Sequence, residues 1–219
     1  MQRGSWHSLT MQALVNKGGG GDAPKRNQIW YWAASQVTLY TTANVVSHTF
    51  SDGKGVVTFN SAVSSVAQWF RATPITGVQL PDKTRTVSTN AFYQCTSMTN
   101  AILPDSITEI NGNAFWNSKI NPAELPASLR VVGANAFRNC PLTITELPSG
   151  ITTIGNSAFQ NCTSLTELTF LGTPTSIGAT AFQGCANLAT VRVPWAEGAV
   201  ANAPWGATNA TITYNYTPQ

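Results

Sequence analysis

The sequence predicts a repeat solenoid of β-strands joined by short helical turns, and three observations lead to that prediction. An Ala-Phe pair recurs five times along the 219-residue chain, at Phe92, Phe115, Phe137, Phe159 and Phe182. The spacing of these phenylalanines is nearly constant. A degenerate sixth copy, Trp69-Phe70, lies one such interval before Phe92. A fixed period of roughly 20–29 residues is typical of proteins in which each unit buries its apolar face only against its neighbours.

Each unit has a small polar residue two positions before its phenylalanine, and we interpret this residue as a helix N-cap. The residues concerned are Asn90, Asn113, Asn135, Ser157 and Thr180. Their side-chain oxygens can accept hydrogen bonds from the otherwise unpaired N–H groups of a first helical turn. We therefore expect a short helical turn over each Ala-Phe-x-x segment. The phenylalanines should point inward and form one continuous buried column.

A cysteine follows the phenylalanine by three positions in four of the five Ala-Phe units. The cysteines are Cys95, Cys140, Cys162 and Cys185, and Ser118 takes the same place in the unit of Phe115. Because all four occupy one place in the unit, we expect a column of small buried side chains with free thiols. A metal site needs ligands that converge from several directions, which one column does not provide. One disulfide between stacked units is the alternative.

The rest of each unit predicts two extended segments that are separated by a proline. The pattern Leu165-x-x-Leu168-x-Phe170 alternates at its end, as a strand with one buried face does. A proline usually closes this strand, since proline has no N–H to donate to a sheet. These prolines are Pro81, Pro104, Pro126, Pro148 and Pro194. A second short extended segment, as at residues 107–110 and 151–154, and a glycine turn then lead into the next unit.

Together these elements resemble the BspA-type leucine-rich repeat, whose unit reads roughly Ile-Gly-x-x-Ala-Phe-x-x-Cys-x-x-Leu-x-x-Ile-x-Leu-Pro. The likeness extends from about Val56 to Val193. The closing segment, which begins Val193-Pro-Trp-Ala-Glu-Gly, is similar to the C-terminal ends of such proteins from gut bacteria and their phages. The resemblance implies a solenoid of the leucine-rich-repeat type that binds or adheres at an extracellular or virion surface. It implies no enzyme activity.

We divide the chain into an arm, two caps and a repeat region. Residues 1–21 form an N-terminal arm, which ends in a Gly-rich linker at 18–21 and has a short helix expected around 9–15. Residues 61–193 hold six leucine-rich-type repeats. Such an arm suggests attachment to another chain.

The two ends of a solenoid expose apolar edges and therefore need caps. Residues 22–60 are expected to form a β-rich N-terminal cap, with Trp30 and Trp32 as packing anchors. Its strands are expected at residues 29–39, 45–50 and 55–59, with a hairpin turn at 51–54. Residues 194–219 are expected to form a β-rich C-terminal cap, in which Trp195, Trp205 and a strand over 210–216 cover the last repeat.

Composition argues against nucleic-acid binding and against a membrane-spanning segment. Charged residues make up only 10% of the chain, and the formal net charge is +3. No basic run is longer than Lys25-Arg26, whereas nucleic-acid binding needs clustered positive charge. No apolar stretch approaches the length of about 18 residues that spans a bilayer. The first residues lack the apolar core of a secretory signal, which favours either a removed signal or export as part of a particle.

The sequence has no motif that predicts catalysis or a cofactor. Both histidines, His7 and His48, lie outside the repeats, and we expect each to be structural. Glu124 and Glu146 occupy equivalent positions in neighbouring units, but a glycosidase would also need a cleft around its acid pair. We therefore expect solvated carboxylates, no enzyme activity, no metal ion and no cofactor.

The candidate ligand-binding face is a column of strand residues that are expected to point away from the core. In each strand, the residue between the last two buried positions should face outward. These residues are Gln79, Ile102, Glu124, Glu146, Thr169 and Arg192. A neighbouring column should contain Thr76, Thr99, Asn121, Thr143, Thr166 and Ala189. Trp116, expected to be exposed on the opposite edge, is an alternative contact because tryptophan is favoured in binding hot spots.

Two functional hypotheses follow from this sequence. The first is a non-catalytic recognition or adhesion module on a bacterial surface or a phage tail, which binds a host-surface protein or glycan through its repeat sheet. The alternative is a structural virion component that attaches to other virion chains through residues 1–21. Neither hypothesis predicts the identity of the ligand.

Overall fold

The chain winds into a β-solenoid, which a computed structural model describes for residues 23–217. Within these residues the only helical element is a 3-10 turn at Gln68–Phe70. The strands are β1 (Gln28–Trp32), β2 (Val45–Ser51), β3 (Lys54–Phe59), β4 (Ser65–Val66), β5 (Gly77–Gln79), β6 (Thr86–Val87), β7 (Asn100–Ile102), β8 (Glu109–Ile110), β9 (Val131–Val132), β10 (Glu146–Leu147), β11 (Thr153–Ile154), β12 (Glu167–Phe170), β13 (Ser176–Ile177), β14 (Thr190–Arg192) and β15 (Thr211–Thr213). The helix expected around residues 9–15 lies outside the described residues.

The strands form two faces of the solenoid, with the apolar core between them. One face is a continuous six-stranded parallel sheet in the order β13-β11-β9-β8-β6-β4. The other face is divided into a five-stranded sheet, β2-β3-β1-β5-β7, and a four-stranded sheet, β10-β12-β14-β15. We call this divided side the strand face, since it contains the predicted binding column.

The strand face is divided because the third turn contributes no strand to it. Residues 120–125 are irregular, although the repeat predicts a strand there as in the neighbouring turns. Pro122 stands at the position that Asn100 occupies in β7. Proline has no N–H for a sheet ladder and is excluded from central strands. The expectation of one strand per unit is therefore wrong for this turn.

The predicted phenylalanine column is confirmed, and it extends to the degenerate copy, Trp69-Phe70. Phe70, Phe92, Phe115, Phe137, Phe159 and Phe182 are each fully buried. Their ring centroids are 5.8, 5.3, 5.4, 5.6 and 5.2 Å apart in chain order, and neighbouring ring planes differ by 4–14°. Each ring therefore packs face to face on the next turn.

The Ala-Phe turns are not helical, which corrects the N-cap interpretation. Asn90, Asn113, Asn135 and Ser157 have φ values of 56–60°, in the left-handed region, whereas an N-cap residue has an extended backbone. The backbone instead bonds to the next turn: the N–H of Asn90 donates to the carbonyl of Gly112 at 3.1 Å. Asparagine suits this place because it tolerates the left-handed conformation better than most residues.

A second left-handed position lies two residues after each phenylalanine, and its side chains form a ladder. Asn117, Asn139 and Asn161 occupy it with φ values of 58–61°. The amide of Asn139 donates to Oδ1 of Asn117 at 2.6 Å, and the amide of Asn161 donates to Oδ1 of Asn139 at 2.9 Å. In the last turn Gly184 takes this position with φ of 74°, and a Cβ there would lie 2.1 Å from Oδ1 of Asn161.

The four cysteines are buried and free, and they form the predicted column. Each thiol donates to a phenylalanine carbonyl of the preceding turn, as from Cys140 Sγ to Phe115 at 3.1 Å and from Cys162 Sγ to Phe137 at 3.1 Å. Ser118 fills the vacant place in the column, and its hydroxyl lies 3.5 Å from Cys140 Sγ. The column thus links neighbouring turns without covalent bonds.

The N-terminal cap continues the strand face by antiparallel pairing. β2 and β3 form the predicted hairpin around Asp52 and Gly53, whose φ values are 49° and 77°. β1 pairs with β3 on one side and with β5 on the other. β1 ends at Trp32, earlier than the expected residue 39.

The packing anchors of this cap are not the predicted tryptophans. Ile29 and Tyr31 are fully buried, whereas Trp30 and Trp32 are only partly buried. Alternate residues of a strand face opposite sides, and β1 turns its odd-numbered residues toward the core. Trp30 lies instead on the outer side, with the Lys54 ammonium 3.1 Å from its ring centroid.

The C-terminal cap covers the last turn with two buried tryptophans and one strand. Trp205 is fully buried, and its carbonyl accepts a hydrogen bond from the N–H of Phe182 at 2.9 Å. The rings of Trp195 and Trp205 lie 5.1 and 6.1 Å from that of Phe170. β15 adds in parallel to β14 and is shorter than the expected strand over 210–216.

Candidate binding surface

Strand pairing places the six predicted face residues in one column. Gln79 pairs with Ile102, and Thr169 pairs with both Glu146 and Arg192. Glu124 belongs to the strandless third turn, between these two groups. The column therefore follows the length of the strand face, with an interruption at its centre.

Two members of the column are buried, although all six are predicted to point away from the core. Gln79 is 7% exposed and Thr169 is 8% exposed. Gln79 lies between Trp30 and Ile102 on the flanking strands, and directly paired residues have their side chains on the same side of the sheet. Thr169 is a short side chain between two long ones. The accessible part of the column thus consists of Ile102, Glu124, Glu146 and Arg192.

The neighbouring column is exposed at all six positions and is uncharged. Its members are Thr76, Thr99, Asn121, Thr143, Thr166 and Ala189. At the gap, the N–H of Thr143 donates to Asn121 Oδ1 at 2.8 Å, and the Asn121 amide lies 3.1 Å from the Thr143 hydroxyl. Side chains thus link the third and fourth turns where strand pairing is missing.

A surface cavity of about 180 Å³ lies beside this gap. Its lining combines two carboxylates, Glu124 and Glu146, with apolar Leu125, Pro148 and Leu171, and with Ala127 and Ser149. Leu171 is 37% exposed there. The carboxylates can accept hydrogen bonds from a ligand's hydroxyl or ammonium groups, while the apolar side chains offer a contact surface.

One end of the strand face has a fixed cation. Arg192 Nη1 donates to Glu167 Oε2 at 2.8 Å, and its guanidinium carbon lies 5.8 Å from the Tyr216 ring centroid. The hydrogen bond to Glu167 raises the pKa of Arg192, so this guanidinium stays charged. The strand face therefore presents an ion pair, in which two neighbours set the position of the Arg192 guanidinium.

The four cysteine thiols are buried, and their raised pKa values make them unreactive at neutral pH. Burial raises the pKa of the Cys95 and Cys185 thiols to about 11 and that of Cys140 to about 12, and it raises the pKa of Cys162 as well. The thiolate is the nucleophilic form, so these cysteines are protonated at neutral pH and serve as packing groups.

His48 has a structural partner, as predicted for a histidine outside the repeats. Its Nε2 lies 2.7 Å from the Tyr31 hydroxyl, and partial burial lowers the pKa of His48. His7 lies outside the described residues. Within residues 23–217, no three His, Cys, Asp or Glu side chains are arranged to hold a metal ion.

Trp116, the alternative contact, is less exposed than the sequence predicts. It is partly buried between the Tyr93 ring, whose centroid is 5.3 Å away, and the Arg138 guanidinium, whose carbon is 4.8 Å from the Trp116 centroid. Sequence reasoning missed these two neighbours. Their positions in the repeat identify them, because Tyr93, Trp116 and Arg138 each directly follow a stacked phenylalanine.

Stacked parallel strands, a buried phenylalanine column and turns of nearly constant length define the chain as a leucine-rich-repeat solenoid. It belongs to the family described as "BspA type Leucine rich repeat region", which matches residues 63–189 in six copies. No curated protein sequence matches the chain. Among the described residues, no helix has the length and apolar character needed to cross a membrane.

The solved structures similar to the chain include those of three leucine-rich proteins. A leucine-rich repeat protein from Bacteroides ovatus has 26% identity and a TM-score of 0.52 over 68% of this chain and 38% of its own. A T. pallidum leucine-rich repeat protein has 28% identity and a TM-score of 0.51 over 61% of this chain and 67% of its own. A leucine rich cell surface protein from Faecalibacterium prausnitzii has 23% identity and a TM-score of 0.47 over 71% of this chain and 52% of its own. The chain thus spans well under half of the Bacteroides ovatus protein.

Proposed function

We propose that the chain is a non-catalytic recognition module that binds a protein or glycan on a target surface through its strand face. The observation that supports this proposal is a contrast within each turn. The buried places repeat the same residues, with Ala and Phe in five turns and Cys in four. The accessible places of the strand face differ from turn to turn, as Ile102, Glu124, Glu146 and Arg192 do.

This contrast fits recognition because packing constrains the inward residues and leaves the outward ones free. A solenoid of this kind presents an extended surface to its partner. The strand face combines exposed Thr and Asn hydrogen-bonding groups, the two carboxylates beside the cavity, and the fixed Arg192 cation. These groups suit a polar partner, and we infer a place at the cell surface.

The test is to neutralise the three accessible charges of the predicted column together. The variant E124Q/E146Q/R192Q should fold normally, because exposed substitutions usually change stability by no more than about 0.5 kcal/mol each. Loss of a partly exposed ion pair such as Arg192–Glu167 should add no more than about 1 kcal/mol. Labelled protein should then bind at least tenfold more weakly to the uncharged glycans on an array, or to the target-surface proteins, that the unchanged chain recognises. The matched control is D82N/D105N, which removes two exposed carboxylates outside this column. Unchanged binding by the triple variant would exclude the strand face as the contact surface.

A deletion separates target binding from attachment. Removing residues 1–21 should leave binding to the array or cells unchanged if recognition belongs to the repeats. Loss of target binding in this deletion variant, with an unchanged melting temperature, would contradict the proposal.

A further inference from the structure

A second surface follows the turn edge of the solenoid, where one residue directly follows each stacked phenylalanine. Backbone bonds join neighbouring turns along this edge: the N–H of Gln94 donates to the Trp116 carbonyl at 2.8 Å, and the N–H of Asn117 donates to the Arg138 carbonyl at 3.0 Å. Tyr40 joins its N-terminal end, because its N–H donates to the Trp69 carbonyl at 2.7 Å. We call this surface the arginine–aromatic column, and it contains Tyr40, Arg71, Tyr93, Trp116, Arg138, Gln160 and Gln183.

Arg71 is held between two aromatic rings. Its guanidinium carbon lies 5.0 Å from the Tyr40 centroid and 5.3 Å from the Tyr93 centroid. Its side chain makes one hydrogen bond within the described residues, to the Tyr40 hydroxyl at 3.4 Å. Stacking restrains the plane of the guanidinium and leaves most of its N–H groups without an acceptor. A guanidinium ordered in this way can bind a carboxylate or sulfate through two parallel hydrogen bonds.

Arg138 repeats this arrangement further along the solenoid. It stacks on Trp116, and its Nη1 lies 3.4 Å from Asn135 Oδ1. The buried donors Arg138 Nε and Trp116 Nε1 both lack an acceptor in the described part of the chain. A buried donor without an acceptor costs free energy. Near Trp116, the column therefore has fewer oxygen acceptors than its donors need.

The turn edge also lacks negative charge. The six segments that carry the stacked phenylalanines, residues 67–73, 88–95, 111–118, 133–140, 155–162 and 178–185, contain no Asp or Glu. Carboxylates of the repeats lie elsewhere, as Glu124, Glu146 and Glu167 do on the strand face. No described carboxylate forms an ion pair with Arg71 or Arg138. The two guanidiniums are therefore available to an external anion.

We propose that the arginine–aromatic column binds a linear polysaccharide that carries carboxylate or sulfate groups. Arg71 and Arg138 bind the acidic groups, and the partly buried rings of Tyr93 and Trp116 lie on the two turns between them. The turns repeat at 5.2–5.8 Å, judged by the stacked phenylalanines, which is comparable to the length of one sugar unit in an extended chain. Gln160, whose amide donates to Gln183 Oε1 at 3.1 Å, continues the column with groups that can bind hydroxyls.

An acidic polysaccharide fits this column better than a nucleic acid does. Nucleic-acid sites neutralise many phosphates with clustered Lys and Arg, whereas this column has two cations. The faces of its rings are also partly covered, since Tyr93 meets Trp116 edge to face at 80° and Arg138 covers Trp116. Stacking of bases needs open ring faces.

The experiment measures binding of the full chain to polygalacturonate, to heparin and to uncharged dextran by biolayer interferometry at about 0.1 M salt. The unchanged chain should bind at least one of the two acidic polymers and should not bind dextran. Preference between polygalacturonate and heparin distinguishes carboxylate from sulfate recognition. R71Q/R138Q should weaken binding at least about tenfold, because it removes two charge-assisted contacts. The matched control R85Q/R130Q removes two exposed arginines from the side of the continuous sheet and should weaken binding less than threefold.

Two further variants keep the test decisive if R71Q/R138Q loses stability. R71K/R138K retains the charge and removes the planar fork, and it should still weaken binding severalfold. E124Q/E146Q changes only the strand face and should leave polysaccharide binding unchanged. The two proposed binding sites are therefore tested independently of each other. Absence of binding to both acidic polymers, equal losses in R71Q/R138Q and R85Q/R130Q, or tighter binding to single-stranded DNA would overturn the proposal.

Discussion

At the scale of single residues, each stacked phenylalanine stabilises two turns at once, because its ring contacts the ring before it and the ring after it. Phe137 lies in the middle of the column, 5.4 and 5.6 Å from its neighbours. F137A should lower the free energy of unfolding by about 3–5 kcal/mol, since it leaves a large cavity among rings that cannot move together. Urea denaturation measures the loss. L171A is the control, because Leu171 is partly exposed and should lose far less. An equal loss in both variants would contradict the stacking argument.

The buried thiols predict a loss of stability at alkaline pH. The pKa of Cys140 is raised to about 12 in the folded chain, while in the unfolded chain the thiol has its ordinary pKa of about 8.5–9. The unfolded state thus loses its proton first as pH rises, and the stability present below the unfolded pKa declines up to the folded pKa. Between pH 8 and pH 10 each buried thiol should cost about 1–2 kcal/mol.

The variant C140A tests this prediction, because it removes one titrating thiol and should reduce the alkaline loss by that amount. Denaturation curves at the two pH values give the comparison. S118A changes the adjacent place in the same column without removing a titrating group, so it should follow the unchanged chain. If C140A and S118A show the same alkaline loss, the thiol does not control it.

At the scale of elements, the turn depends on its left-handed residues and on the ladder between them. N139A removes both ladder bonds of Asn139 and places alanine at a φ of 61°. N139G removes the same bonds but has no Cβ to strain. N139A should therefore be less stable than N139G by about 1–2 kcal/mol, the usual cost of this conformation for an L-residue. Thermal denaturation followed by circular dichroism measures the difference in stability between the two variants. Equal stabilities would show that the backbone relaxes at this position.

The repeat could be predicted from sequence because it depends on spacing and on burial. Phe and Cys recur at fixed intervals, and such residues are buried whatever the details of the turn. The conformation of the turn could not be predicted in the same way. Asn90 is favoured equally at a helix N-cap and in a left-handed turn. The choice is made by bonds to the next turn, such as that from Asn90 to Gly112.

The candidate surfaces are harder to predict because exposure depends on neighbours from other turns. Gln79 has the correct direction for a face residue but is buried, and its strand partner Trp30 is distant in sequence. The sequence indicates Trp116 alone, because only stacking brings Arg138 and Tyr93 beside it. The gap in the strand face is visible in principle, since Pro122 stands inside a predicted strand.

At the scale of the whole molecule, we expect the C-terminal cap to keep the last turn from pairing with another chain. β15 covers the edge of β14, and the Trp205 carbonyl accepts a hydrogen bond from the N–H of Phe182, the last residue of the phenylalanine column. Removing residues 194–219 should expose this edge, because a strand with unpaired backbone groups is a template for association. Size-exclusion chromatography with light scattering should then detect dimers or larger species. W205A, which keeps β15, should lose stability and remain monomeric. A monomeric truncated chain would contradict this role for the cap.

Because all turns have nearly the same thickness, the length of the molecule can change in steps of one whole turn. Rings 5.2–5.8 Å apart present the same surface above and below. Duplicating or losing one complete repeat, such as the segment 138–159, would therefore leave both caps in contact with surfaces that they already fit. Each added repeat would lengthen the strand face and the arginine–aromatic column by one position each. Such a chain can change its valence toward a polymeric partner through the number of its repeats, with no change in any individual contact.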